Sequence, residues 1–477
     1  MRYINKNDLL IVVRNSGKIM IGIGFMCLIP LIVDLIYLEF NILGFIVPGL
    51  ISIGLGLICT NLIKEPPNKK MRLKHGMIIS ALAWLWAAII CGLVMAITTQ
   101  HGFIDGTFES MSALTGSGIT LYPDVEVLPH GILFFRALQQ WIGGLGIIVM
   151  IVAILTRPGA ISSRLYRSEA REEKLKPSIK ATLQHTIKIY IIYTCFGIAA
   201  YILAGMPVFD SVCNTFSILS TGGMSIKNAN MGYYHNDVIY LISIVLMILG
   251  ATSFLVHYKV IKTRGKSLIQ DLQFKVMIST IAIVTVVLYF ISNIVPIELL
   301  FTVVSAMTTT GANVQSSAVM AGWPSFVLIC LMALMLVGGS TGSTVGAIKL
   351  TRVLIFFKGV YKHIREIMSP EGRVVPIKIS NVKVSEKAVS DSGNYITLHL
   401  IFIMITWALF CLYGYDPFRS LFDVISMQSN NGLSLGIVTP SIGNPLKIIS
   451  IFNMWTGRLE IYPVLITLRA FFEIFKR

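Results

Sequence analysis

Apolar runs recur from one end of the chain to the other, near 17–38, 42–63, 76–98, 131–155, 183–204, 238–258, 275–295, 325–356, 393–413 and 446–472. About 20 apolar residues in a helix cross a hydrocarbon layer of about 30 Å. The pattern therefore predicts ten membrane spans, the eighth interrupted by a polar, glycine-rich stretch. The first run lacks a small-residue cleavage site and a second follows at once, so a cleavable signal peptide is not expected.

Composition agrees with a membrane chain. Of 477 residues, 55% are hydrophobic and only 13% charged, with a mean hydropathy of +0.76, whereas a soluble domain carries about 25% charged residues. That excludes a soluble enzyme, a disordered chain and a secreted disulfide scaffold. The seven cysteines fall mostly inside apolar runs and form no C-x-x-C pair, so they read as small apolar fillers.

The net charge of +16, from 39 Lys+Arg against 23 Asp+Glu, would suggest nucleic acid in a soluble protein. Its placement points elsewhere. Lys and Arg crowd into 64–74, 157–180, 259–275 and 349–387, while 99–130 and 294–325 hold none, and 205–237 and 414–445 hold only Lys227 and Arg419. Basic loops face the cytoplasm. The expectation is a multi-pass protein of the cell membrane with both termini cytoplasmic and no need of nucleic acid.

The four longer outer segments contain one short string in four versions: SALTGSGIT (112–120), SILSTGGMS (217–225), SAMTTTGAN (305–313) and SMQSNNGLS (426–434). Aligned on Ser112, Ser217, Ser305 and Ser426, each places a glycine six residues later, at Gly118, Gly223, Gly311 and Gly432. Each string follows a half-length apolar stretch and is flanked by a span on either side. All four copies lie on the same side, so the repeats are parallel. Inverted repeats mark many alternating-access transporters; four parallel copies point to a pseudo-fourfold ring around one pore.

Ten residues of helix cross only half a bilayer, so the stretches before the glycines fit re-entrant helices. Non-helical backbone at membrane depth is tolerated only where it lines water or protein. A helix C-terminus offers partial negative charge to a cation, and glycine permits the positive φ needed to turn carbonyls toward an axis. A lone loop of this composition would be an outer turn. Four in register predict rings of oxygens that replace a cation's hydration shell, built from Gly116, Ser117 and Gly118; Thr221, Gly222 and Gly223; Thr309, Thr310 and Gly311; and Asn430, Asn431 and Gly432.

With these loops, and with RALQQWIGGLG (136–146), GGSTGSTVGAIK (338–349) and GRLE (457–460), the chain resembles the Trk/Ktr/HKT potassium transporter superfamily over essentially its whole length, specifically the TrkH-type membrane subunit. The resemblance implies an all-α membrane protein with two extra N-terminal helices (1–66) and four pore repeats (67–160, 180–266, 267–363 and 388–477). It further implies K+ as the transported ion and no cofactor in this chain. A homodimer is implied too, with a cytosolic TrkA-like ring that binds nucleotide and gates the pore. The fourth loop departs from the third, with amides at Asn430 and Asn431 where the third has Thr309 and Thr310. That keeps open a pore of the same fold passing Na+ as well as K+, or a Na+- or H+-coupled symporter.

Four glycines and four hydroxyl residues in 338–347 disfavour continuous helix, since each interior glycine costs roughly 1 kcal/mol. The expectation is a flexible gate crossing the pore below the filter, built from Gly338, Gly339, Ser340, Thr341, Gly342, Ser343 and Gly346, with Lys349 and Arg352 at the inner mouth. A seam of small residues between packed helices is the competing reading. Gly338, Ser340 and Gly342 also match the G-x-S-x-G of hydrolases, but that motif needs a strand–turn–helix setting. An intramembrane enzyme would need paired Asp or a Ser/His set at matching depth, and neither is found.

Arg458 lies deep in the last span, where charge costs at least about 2.5–3.5 kcal/mol, so it is expected to face the pore as a positive charge that slows cation exit. The resemblance carries an Arg at the matching position. Glu460 is expected to face away from it, and Asp34 and Arg136, nearer span ends, to lie at the interface.

Overall fold

The computed structural model describes residues 5–63, 71–146, 179–263, 265–370, 375–379 and 382–475. The basic residues at 64–70, the last part of the expected fourth span (147–155) and most of the basic segment 157–180 lie outside the described residues.

The described chain is helical apart from one two-stranded antiparallel hairpin, β1 (Lys378–Ile379) and β2 (Val382–Lys383). At the N-terminus, α1 (Lys6–Leu28) and α2 (Leu31–Tyr37) lead into α3 (Ile42–Leu62). Small residues draw α1 and α3 together: a methyl group on Gly24 would lie 2.6 Å from the Gly49 carbonyl, and one on Gly17 2.8 Å from that of Gly56. Such close backbone approach is how helices associate where lipid removes the hydrophobic drive.

Four units follow. The first is α4 (Leu73–Thr99), α5 (Phe103–Thr115) and α6 (His130–Leu145). The second is α7 (Ile179–Leu203), α8 (Val208–Leu219), α9 (Asp237–Ala251) and α10 (Phe254–Thr263). After the short α11 (Lys266–Gln270), the third runs through α12 (Leu272–Ile291), α13 (Pro296–Met307), α14 (Ser317–Met320), α15 (Ser325–Val337) and α16 (Leu350–Ile367). The fourth is α17 (Glu386–Leu412), α18 (Pro417–Gln428), α19 (Asn444–Arg458) and α20 (Tyr462–Phe475).

Helices α5, α8, α13 and α18 have 13, 12, 12 and 12 residues, about 18 Å each. Their starts are written in the sequence. Gly102 and Pro207 are N-caps, and Pro296 and Pro417 occupy the first turn, where a missing N–H costs nothing. All four are buried among longer helices.

Among the described residues, six helices are long and apolar enough to cross a membrane: Asn7–Tyr37, Ile42–Leu62, Leu73–Thr99, Gln184–Leu203, Leu272–Ile291 and Glu386–Leu412. These match the first, second, third, fifth, seventh and ninth expected spans. The other four, each the last span of a unit, are not straight helices. The sixth bends by 104° between Ala251 and Phe254, the eighth is open from Gly338 to Lys349, and the tenth breaks between Arg458 and Tyr462. In the first unit α6 ends at Leu145, with Gly146 at φ 98°. Three of these helices bring a glycine onto the last carbonyls of the preceding short helix. A methyl group on Gly143, Gly250 or Gly457 would overlap the carbonyl of Leu114, Leu219 or Gln428.

Candidate functional site

Each short helix closes into its loop in the same way. The N–H groups of Ser117, Gly222, Thr310 and Asn431 donate to the carbonyls of Ser112, Ser217, Ser305 and Ser426 at 2.9–3.0 Å. The hydroxyls of Ser112, Ser217 and Ser305 donate to carbonyls seven residues on, those of Ile119, Met224 and Ala312, each at 2.6 Å. The fourth loop differs: the Ser426 hydroxyl accepts from the Gly432 N–H at 2.9 Å.

Two positions in every loop then have positive φ, spaced by two residues. They are Gly116 and Gly118 (74° and 70°), Thr221 and Gly223 (54° and 73°), Thr309 and Gly311 (49° and 74°), and Asn430 and Gly432 (52° and 116°). A threonine in left-handed backbone is a strained residue, costing of order 1–3 kcal/mol, and persists only where its surroundings dictate it.

The second positions meet. A methyl group on Gly118 would overlap the Gly222 carbonyl, one on Gly223 the Thr310 carbonyl, and one on Gly311 the Asn431 carbonyl. A methyl group on Gly432 would lie 3.1 Å from the Gly311 Cα and 3.3 Å from the Gly118 Cα. Loop one thus touches two and four, and loop three touches two and four: a closed ring of backbone with no room for a side chain. On one side lies a cavity of about 250 Å³, lined by Gly118, Gly311, Gly432, Asn313, Arg136 and Lys227. At its rim, the Asn228 amide and the Glu126 N–H hold the exposed Asp124 carboxyl below the usual carboxylate range.

On the other side lies the segment 338–349. Its Gly346 N–H donates to the Thr309 hydroxyl at 3.1 Å, its Ala347 N–H to the Ser429 carbonyl at 2.9 Å, and Thr344 Oγ1 sits 2.9 Å from Thr221 Oγ1. The same segment pairs with the bend between α9 and α10. Ser340 N–H donates to Ala251 and Thr344 N–H to Gly250, while Phe254 N–H donates to Gly342, at 3.0–3.2 Å. Gly338, Gly342 and Lys349 have positive φ, and the Thr341 N–H donates to the Gln273 side chain at 2.8 Å. Gly339 accepts from the Leu350 N–H at 3.0 Å, and the Ser343 hydroxyl donates to the Ser340 carbonyl at 2.6 Å.

Arg458 reaches this segment from the last unit. Its guanidinium donates to the carbonyls of Thr344, of Gly143 at 2.6 Å and of Gly144 at 2.9 Å. Glu460 pairs with Lys349 at 3.2 Å and with Arg352, partners that were not foreseen. It stands in the break after Arg458, at φ 58°.

The base and the acid expected at the interface, Arg136 and Asp34, are both buried within the protein. Arg136 is 1% exposed and pairs with the fully buried Glu109 at 2.8 Å. It also donates to the Ser225 carbonyl at 3.0 Å, just past the second loop. Asp34 is 1% exposed, packed against Gly131. The amides of the fourth loop are turned into the scaffold. Asn430 Nδ2 donates to Ser117 Oγ and to the Met454 carbonyl, both at 2.9 Å, and Asn431 Nδ2 to the Ala306 carbonyl at 3.0 Å.

Broken spans and half-length helices around a ring of backbone define a multi-pass helical membrane protein of the transport class. The family model for TrkH, a cation transport protein, matches residues 57–297 and 296–473, and the chain belongs to that family. It is 37% identical to an uncharacterised cation transporter of Methanocaldococcus jannaschii, covering 97% of this chain and 96% of that protein. It is 30% identical to the Trk system potassium uptake protein TrkG of Escherichia coli, over 93% of this chain and 94% of that one. The crystal structure of the potassium transporter TrkH from Vibrio parahaemolyticus superposes with a TM-score of 0.85 at 26% identity, covering 96% of this chain and 98% of that one. The family transports ions and is not enzymatic.

Proposed function

We propose that this protein takes up K+ as the membrane subunit of a Trk-type system, through the ring formed by 116–118, 221–223, 309–311 and 430–432. The observation that carries the reading is the paired positive-φ positions, the same in all four loops. Alternating left-handed residues let neighbouring carbonyls face one side, and such carbonyls replace the hydration shell of a cation. Relatives named potassium uptake proteins support K+ as the ion. The scaffold bonds of Asn430 and Asn431 favour K+ selection over a Na+-permeable path, because these amides brace loop four rather than supply a different ligand set.

Segment 338–349 is read as the gate, since it contacts three of the four loops on the side away from the cavity. Residues 67–160, 180–266, 267–363 and 388–477 are the four pore units in this reading, after an N-terminal pair in 1–66. In this reading the chain lies in the cell membrane with both termini on the cytoplasmic side, which the distribution of basic segments supports. Relatives belonging to a named Trk system support an assembly of several components, which we take to be a homodimer on a cytosolic, nucleotide-binding ring. The test is growth of a potassium-uptake-deficient strain at low K+, with and without the partner subunit. Rescue is expected only with this chain present, and failure in both backgrounds overturns the reading.

A further inference from the structure

Three residues before the serine that opens each loop, the short helices carry Glu109, Asn214, Thr302 and Asp423. The two acids are fully buried and do the same thing. Glu109 accepts from the Thr120 hydroxyl at 2.9 Å and the Leu121 N–H at 3.0 Å. Asp423 accepts from the Ser434 hydroxyl at 2.8 Å and the Leu435 N–H at 2.7 Å. These partners stand two and three residues beyond Gly118 and Gly432, so each acid holds the segment leaving the ring. Asp423 accepts two more N–H groups, of Ile437 at 3.0 Å and Val438 at 3.2 Å.

The two sites differ in countercharge. Arg136 pairs with Glu109 at 2.8 Å, whereas among the described residues no Lys or Arg pairs with Asp423. Every named partner of Asp423 is a donor, so the site fits the ionised form, which only accepts. Asn214 and Thr302 bring no charge. One side of the ring is thus backed by a negative charge that hydrogen bonds hold and that, among the described residues, no Lys or Arg pairs with.

We infer that Asp423 is a positioning residue that sets the affinity of the ring for its cation. It acts through the segment 432–438 and through its field, without touching the ion. The inference rests on the reading of the ring as the ion path. A unit charge about 10 Å from an ion changes its affinity roughly two- to fifteenfold as the effective dielectric constant goes from water's value to about 20.

The test is rubidium uptake by the full chain in liposomes over a range of K+ concentrations, with elution volume and thermal unfolding checked for each variant. Asp423→Asn and Glu109→Gln each remove a negative charge and are expected to raise the half-saturation concentration by roughly two- to fifteenfold. Arg136→Gln leaves Glu109 uncompensated and is expected to lower it. A purely structural role moves all three in the same direction, and that result overturns the inference, as does an unchanged half-saturation in folded Asp423→Asn. Where one acid variant aggregates, the opposite signs expected of the other acid variant and Arg136→Gln decide; where Arg136→Gln aggregates, Asp423→Glu, which keeps the charge, is expected to keep the wild-type half-saturation that Asp423→Asn raises, and an equal rise in both overturns the inference. A wild-type chain that carries no rubidium overturns the ion-path reading, and this inference with it, whereas a normal wild type with unaltered variants overturns the inference alone.

Discussion

The hydroxyls of Thr221 and Thr344 lie 2.9 Å apart, one in the second loop of the ring and the other in the segment that crosses beneath it. Thr344 Oγ1 also donates to the Gly250 carbonyl at 3.0 Å. One side chain therefore ties the proposed gate both to the ring and to the bend of the second unit. Net hydrogen bonds are worth about 0.5–1.5 kcal/mol each. Thr344→Val keeps the shape and removes both bonds, about 1–3 kcal/mol together, so resting rubidium leak in liposomes should rise by roughly 5-fold to 150-fold. A leak equal to wild type would detach Thr344 from gating.

Gly311 has no room for a side chain. Its φ is 74°, and a methyl group would overlap the Asn431 carbonyl and lie 2.5 Å from the Gly432 Cα. Gly311→Ser should displace loop four against loop three and lower discrimination of K+ over Na+, read as stronger Na+ competition against rubidium uptake. Unaltered competition in a folded variant would remove the filter assignment.

The loops were legible because their chemistry is local. In three of the four copies the serine closes the turn through a bond to the carbonyl seven residues on, and in all four the glycine six residues on takes positive φ, so spacing alone displays both. Spans were legible as hydropathy but not as shape. The run 238–258 is as apolar as a straight helix, yet it bends after Ala251, because there the backbone pairs with Ser340, Gly342 and Thr344 of a distant segment. Arg136 was placed by counting depth along a full-length span. Its true environment is set by Glu109, 27 residues away in sequence. The partners of Glu460 were hidden for the same reason, since a helix continued through 458–460 points it away from Lys349. A signal for the buried acids was present: an acid stands three residues before the serine in copies one and four. Only the bonds to Leu121 and Leu435 give that coincidence meaning.

Arg458 holds three carbonyls, those of Gly143, Gly144 and Thr344, at the ends of two broken helices. Arg458→Ala removes these three bonds, leaving Gly143 with the Gly146 N–H, and removes a positive charge from below the ring. Resting flux should rise. Arg458→Lys keeps the charge but loses the planar fork that serves several acceptors at once, so its flux should fall between wild type and the alanine variant. Wild-type flux and gating in both variants would show that the arginine is only a packing element.

Glu460 balances Lys349 and Arg352, which lie on either side of the start of α16. The side chains of the three are 8%, 14% and 17% exposed, so their charges are only partly screened by water. Glu460→Gln leaves two uncompensated cations where an ion leaving the proposed path must pass. The maximal rate of rubidium uptake should fall, and half-saturation, set at the ring, should change little. Charges this buried are screened little by salt, so the lost rate should largely persist when the salt is raised. A variant whose rate is unchanged would mean that the pair holds the start of α16 in place and has no part in ion exit.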